Sequence, residues 1–108
     1  MSAELLRVCG VEEVAPGGQL QVRVPEVGTL AVWHVDDQFY VTADACTHMG
    51  ASLAEEGVLE GHTVQCTWHN GKLDVRTGEV LGPPCPTALQ TYAVQVVNGA
   101  VFIATEER

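Results

Sequence analysis

Between residues 5 and 42, short apolar runs alternate with turn signals. Leu5–Cys9 (Leu-Leu-Arg-Val-Cys) predicts a short first strand. Val11-Glu12-Glu13-Val14 fits one helical turn ahead of Pro16-Gly17-Gly18, which is strong turn punctuation. Gln19–Val24 alternates polar and apolar residues, as a strand with one buried face does. Pro25–Gly28 turns the chain into a further strand over Thr29–Val35, with Trp33 expected in the core and His34 as a structural or edge residue. Asp36-Asp37 is a tight turn into Gln38–Thr42, so this part reads as an antiparallel meander. From Ala43 to Pro86 the alternation gives way to glycines, cysteines and histidines, which predicts a subdomain inserted between base strands. Strand character resumes over Ala88–Val97. Asn98-Gly99, both tolerant of φ > 0, then signals a hairpin into Ala100–Ala104. The expectation is one all-β domain over 1–108: an antiparallel sandwich or barrel base (1–42 and 87–108) carrying an insert (43–86).

Composition fits a folded chain of this kind: 46% of its residues are hydrophobic, too many for disorder. A chain of 108 residues buries roughly two-thirds of its unfolded surface, enough for one modest core. The net charge of −9 opposes binding to nucleic acid or anionic lipid and steers the protein toward basic patches on partners. Solubility alone accounts for the same acids equally well. Met1–Arg7 has no basic region followed by an apolar one, and no apolar run approaches the ~18 residues of a membrane span. A cytoplasmic protein without membrane or nucleic-acid partners is expected.

The chemistry is concentrated in two short peptides, Cys46-Thr47-His48 and Cys66-Thr67-Trp68-His69, separated by Met49 to Gln65. Each offers one thiolate and one imidazole, a donor set for a borderline-soft metal rather than calcium or magnesium. A tetrahedral zinc could use the same four side chains, although zinc sites usually pair Cys with Cys and His with His. Mixed pairs suit a centre of two unequal irons, one taking both thiolates and the other both imidazoles. Cys9 and Cys85 are left as free thiols of a reducing compartment, Cys9 as a small core residue. His62 is expected at the surface, opening a strand.

This C-x-H and C-x2-H pattern resembles the Rieske 2Fe-2S family, and the resemblance covers nearly the whole chain. Glu56–Gly61 is similar to the family's approach to its second ligand loop, Asp74–Glu79 to the hairpin after it, and Gly82-Pro83-Pro84 to its proline loop. Leu89–Tyr92 is similar to the return to the base. The order is most similar to the small ferredoxins of bacterial aromatic-ring-hydroxylating dioxygenase systems. That resemblance implies one 2Fe-2S cluster, with Cys46 and Cys66 on the buried iron and His48 and His69 on the outer one. It implies a monomeric carrier of single electrons, with no catalytic residues of its own. Electrons would pass from a flavin-containing, NAD(P)H-dependent reductase to a terminal oxygenase acting on biphenyl, naphthalene, carbazole or related aromatics.

High-potential family members have an extra disulfide and two hydroxyls beside the cluster. Here the disulfide positions are Ala51 and Trp68, and the hydroxyl positions are Gly71 and Leu73. Fewer hydrogen bonds to reduced sulfur imply a potential at the low end of the Rieske range, roughly −150 mV. Met49, Leu53, Pro83 and Pro84 are candidates for an apolar collar, and Trp68 for a partner contact or a shield. A terminal oxygenase would need a further two-His, one-carboxylate iron domain, for which 108 residues leave no room. The alternatives are a Rieske ferredoxin serving a nitrite reductase or a diiron monooxygenase, and a non-redox Cys2His2 zinc module.

Overall fold

A computed structural model describes residues 4–25, 27–44, 52–66, 72–82 and 90–105. Among these, the strands are β1 (Glu4–Gly10), β2 (Gln19–Val24), β3 (Gly28–Val35), β4 (Gln38–Ala43), β5 (Gly57–Glu60), β6 (Thr63–Cys66), β7 (Lys72–Asp74), β8 (Val80–Gly82), β9 (Thr91–Val97) and β10 (Ala100–Thr105). A 3-10 turn covers Val11–Glu13, and one short helix, α1, covers Leu53–Glu56. All strand pairings are antiparallel, so the all-β reading holds.

The strands form a six-stranded sheet in the order β1-β10-β9-β4-β3-β2 and a four-stranded sheet in the order β5-β6-β7-β8. Strands β2, β3 and β4 pair consecutively, as a meander does, but β1 does not join them. It pairs with β10, from Glu4↔Thr105 to Gly10↔Ala100, with a bulge between Arg7 and Cys9. The reason lies in edges. The β9–β10 hairpin leaves the outer edge of β10 open, and β1 covers it while burying Val8 and Cys9. The six-stranded sheet is thereby brought close to closure.

The two-residue hairpins at Asp36-Asp37 and Asn98-Gly99 adopt the left-handed turns that match strand twist. Asp36 and Asp37 have φ of 51° and 63°, and Asn98 and Gly99 have 50° and 77°. A Cβ on Gly99 would meet nothing within 4 Å, so alanine there is penalised by conformation alone. Gly99→Ala is expected to lower stability by about 1 kcal/mol, read as a drop in denaturation midpoint.

Strand β3 is buried on both faces, which accounts for its unbroken apolar run. Leu30 and Val32 join Val8, Cys9, Val14, Val24, Val41, Val101 and Ile103 in a core within the six-stranded sheet. Ala31 and Trp33 point the other way, into a second core with Leu53 of α1, Val64 of β6, Leu73 of β7 and Val75. This second core fastens the four-stranded sheet to the six-stranded one.

Candidate metal centre

Of the four candidate ligands, the structure describes Cys66, which ends β6 with its backbone paired to Gly57 of β5. Cys46, His48 and His69 lie outside the described residues, as do Cys85, Trp68, Met49, Pro83 and Pro84. What the fold does define is how the segments bearing them are held at their ends.

Segment 45–51 leaves β4 at Asp44 and re-enters at Ser52, and these ends are cross-linked. The Leu53 amide donates to the Asp44 carbonyl (2.7 Å), and the Ala54 amide donates to Asp44 Oδ1 (2.8 Å). Asp44 is 3% exposed. Its burial is tolerable because both carboxylate oxygens accept hydrogen bonds, the second from Gln21 Nε2 at 2.8 Å. Gln21 Nε2 also donates to Ser52 Oγ at 3.0 Å, and that hydroxyl caps α1 by accepting from the Glu55 amide at 3.2 Å.

The far end of α1 is tied to the same strand. Gln19 Nε2 donates to the Ala54 and Gly57 carbonyls, both at 2.9 Å. A side chain at Gly57 has no room, because its Cβ would lie 2.5 Å from the Leu53 carbonyl oxygen and 2.7 Å from Val64. Thus α1 connects the end of segment 45–51 to the strand that pairs with Cys66. The other two segments are closed in like fashion. Gln65 pairs with Lys72 across segment 67–71, Lys72 pairs with Gly82 before segment 83–89, and the Ala43 amide donates to the Gln90 carbonyl after it (2.8 Å).

The β7–β8 connection is held by a bidentate pair: Arg76 Nε and Nη2 donate to Asp74 at 3.1 and 2.9 Å, and the Arg76 amide adds a 2.8 Å bond. These bonds hold the Asp74 carboxyl below its ordinary value of 3.8. A carboxyl with a lowered folded pKa stabilises the fold above its unfolded pKa, and that contribution is lost as pH falls through the folded value. Asp74→Asn should therefore be less stable than the parent near neutrality. The two melting curves should converge below about pH 4, as thermal melts across pH 3–7 would show.

The remaining described candidates belong to the scaffold. Trp33 is fully buried and donates to Thr42 Oγ1 at 3.0 Å. His34 bonds through Nδ1 to the Val14 carbonyl at 2.9 Å and stacks on Phe39 at 4.1 Å. His62, expected at the surface, is instead only 25% exposed, packed edge-on to Tyr40 with Asp36 at 4.0 Å. It sits in the β5–β6 turn, which packs near the β3–β4 turn. Cys9 is a buried free thiol, pushed up to about 11 mainly by burial and then by Glu13. Leu53 belongs to the core between the sheets. Among the described residues, no group of three or more His, Cys, Asp and Glu could hold a metal ion.

Gln19, Gln21, Asp44 and α1 escaped the sequence reading. The spacing Ser52-x-x-Glu55 is a capping signature that could have located the helix. Nothing local marks the two glutamines, which occupy ordinary polar positions of an alternating strand.

Comparison with known proteins gives the same family throughout. The model of the Rieske [2Fe-2S] domain matches residues 4–93. The ferredoxin component of the p-cumate 2,3-dioxygenase system of Pseudomonas putida is 39% identical over 100 residues, covering 93% of this chain and 85% of that protein. The biphenyl dioxygenase ferredoxin subunit of Pseudomonas sp. (strain KKS102) is 40% identical over 97 residues, covering 90% and 88%. Among solved structures, a chain in the complex of reduced oxygenase and oxidised ferredoxin in carbazole 1,9a-dioxygenase superposes with a TM-score of 0.86. It is 39% identical, with 96% of this chain and 95% of that chain covered. With its mixed Cys/His peptides, its two-sheet fold and a family match over most of its length, this chain belongs to the Rieske [2Fe-2S] domain family.

Proposed function

We propose that this chain is a Rieske ferredoxin, holding one 2Fe-2S cluster through Cys46, His48, Cys66 and His69. It carries single electrons from a flavin-containing, NAD(P)H-dependent reductase to the terminal oxygenase of an aromatic-ring-hydroxylating dioxygenase system. The observation that carries the reading is the donor set, two thiolates and two imidazoles in mixed pairs, in a chain whose similarity to dioxygenase ferredoxins runs nearly end to end. The donor chemistry fits the cluster: thiolates for one iron, neutral imidazoles for the other. When bound, the cluster supplies one-electron oxidation and reduction.

The chain's own residues supply ligation, placement and charge. Cys46 and Cys66 act as thiolates, and His48 and His69 as neutral imidazoles, within an insert (43–86) carried by a base (1–42 and 87–108) as a single domain. Leu73, 1% exposed, presents no hydroxyl where high-potential members have one, in keeping with a low potential. The net charge of −9 favours partners with basic docking faces, and small, short-lived interfaces suit a shuttle. A similar ferredoxin in complex with its oxygenase supports the terminal partner. The p-cumate, biphenyl and carbazole systems named among the relatives leave the choice of aromatic substrate with the oxygenase. Among the described residues no helix is long and apolar enough to cross a membrane, and a monomer of the cytoplasm completes the reading.

Visible absorption and reduced-state EPR of the purified protein test it. A red-brown oxidised form with a Rieske signal supports the assignment. A colourless, EPR-silent protein holding one zinc overturns it in favour of a zinc module.

A further inference from the structure

Among the described residues, the densest polar network runs from one face of β2 to the residues that flank the ligand-bearing segments. Gln19 and Gln21 are two residues apart, so their side chains project from the same face of the strand. Each amide nitrogen is shared among partners beyond its own sheet. Gln21 Nε2 holds Asp44 Oδ2 and Ser52 Oγ, the residues that flank segment 45–51. Gln19 Nε2 holds the Ala54 and Gly57 carbonyls, at the end of α1 and on the backbone partner of Cys66. The strand therefore grips the approach to Cys46 and His48 with one glutamine and the approach to Cys66 with the next.

We propose that Gln19 and Gln21 are positioning residues that keep the two ligand-bearing segments in register, Gln21 through Asp44 and Ser52, Gln19 through α1 and Gly57. The proposal rests on the ligand assignment above. A single neutral side-chain donor is well suited to this task. It satisfies the buried Asp44 Oδ2 and the Ala54 carbonyl of α1, without adding a charge beside the centre. The side chain of Arg23, the next residue on that face, makes no hydrogen bond or ion pair among the described residues, so the grip is specific to positions 19 and 21.

The test uses the purified holoprotein and three measurements: the reduced-state EPR g-values and linewidths, the rate of iron loss to a ferrous chelator, and the melting temperature. Gln19→Leu and Gln21→Leu are compared with Gly99→Ala, which weakens the base without touching the network. Gln21→Met, which keeps the length of the side chain, removes the donor and adds no charge, is the second variant should leucine impair folding. Each glutamine variant is expected to broaden or shift the EPR signal and to release iron about fivefold faster, the factor that one net hydrogen bond commands. Gly99→Ala should keep the wild-type g-values. Glutamine variants with wild-type g-values and iron loss no faster than Gly99→Ala overturn the positioning role while leaving the ligand assignment intact. A wild-type protein with no Rieske signal overturns the ligand assignment itself, before any variant is made.

Discussion

Replacement of Cys66 by alanine is expected to abolish the electron-carrying capacity of this chain while leaving its base sheet able to fold. Cys66 lies at the last position of β6, where the backbone is fixed by pairing with Gly57, so the substitution removes a thiolate without removing the strand. A two-iron centre that loses one of two thiolates loses charge neutralisation and an anchor together, and metal affinity in such sites is inseparable from the full ligand set. Visible absorption and the reduced-state EPR signal should vanish, with iron content falling to background. Cys9→Ala is the matching control. Cys9 is a protonated, buried thiol in the core within the six-stranded sheet, and its loss should cost about 1 kcal/mol of packing and leave the spectrum intact. The ligand assignment fails if Cys66→Ala, or His48→Ala, keeps a full Rieske spectrum.

Trp33→Ala is expected to be the most damaging substitution away from the ligands. Among the described residues Trp33 is the largest wholly buried side chain, and its neighbours Leu53, Val64, Leu73 and Val75 come from α1, β6, β7 and the residue after it. Removing the indole empties the joint between the two sheets, at about 3–5 kcal/mol for a buried tryptophan truncated to alanine. That is a large share of the roughly 5–15 kcal/mol that a domain has in total. It also strips Thr42 Oγ1 of its indole donor. Trp33→Phe should retain most of the packing and lose chiefly that hydrogen bond, about 1 kcal/mol. Denaturation of the holoproteins, with circular dichroism and visible absorption followed together, checks both. A shift in midpoint worth less than about 1 kcal/mol for Trp33→Ala would mean that the four-stranded sheet is fastened elsewhere.

The local signals that proved readable are those whose physics is local. Asp36-Asp37 and Asn98-Gly99 were legible as two-residue turns because left-handed φ is confined to few residue types, and the backbone adopts it at all four positions. Gln19–Val24 was legible as a strand because alternation has no other simple reading. Two readings failed for the opposite reason. The pairing of β1 with β10 depends on which edge remains open after every other strand has paired, and no residue in Leu5–Cys9 records that. The partial burial of His62 depends on Tyr40 of β4 and Asp36 of the β3–β4 turn, both far from it in the chain.

By itself the sequence determined the candidate donor set, the all-β class, the turn positions and the acidic charge, because each depends on residue type and near-neighbour spacing. Only the tertiary structure decided that β3 is buried on both faces, that Trp33 belongs to the joint between the sheets, and that Gln19 and Gln21 reach Asp44, Ser52, Ala54 and Gly57. The physical reason is range. A ligand motif or a turn is chosen by atoms a few residues apart, whereas the partner of a buried face or a glutamine amide is chosen by how two sheets pack. Gln21 bonds to Asp44 and Ser52 from far along the chain, and a polar residue at an alternating position reads as solvent-facing until the fold brings those acceptors to it.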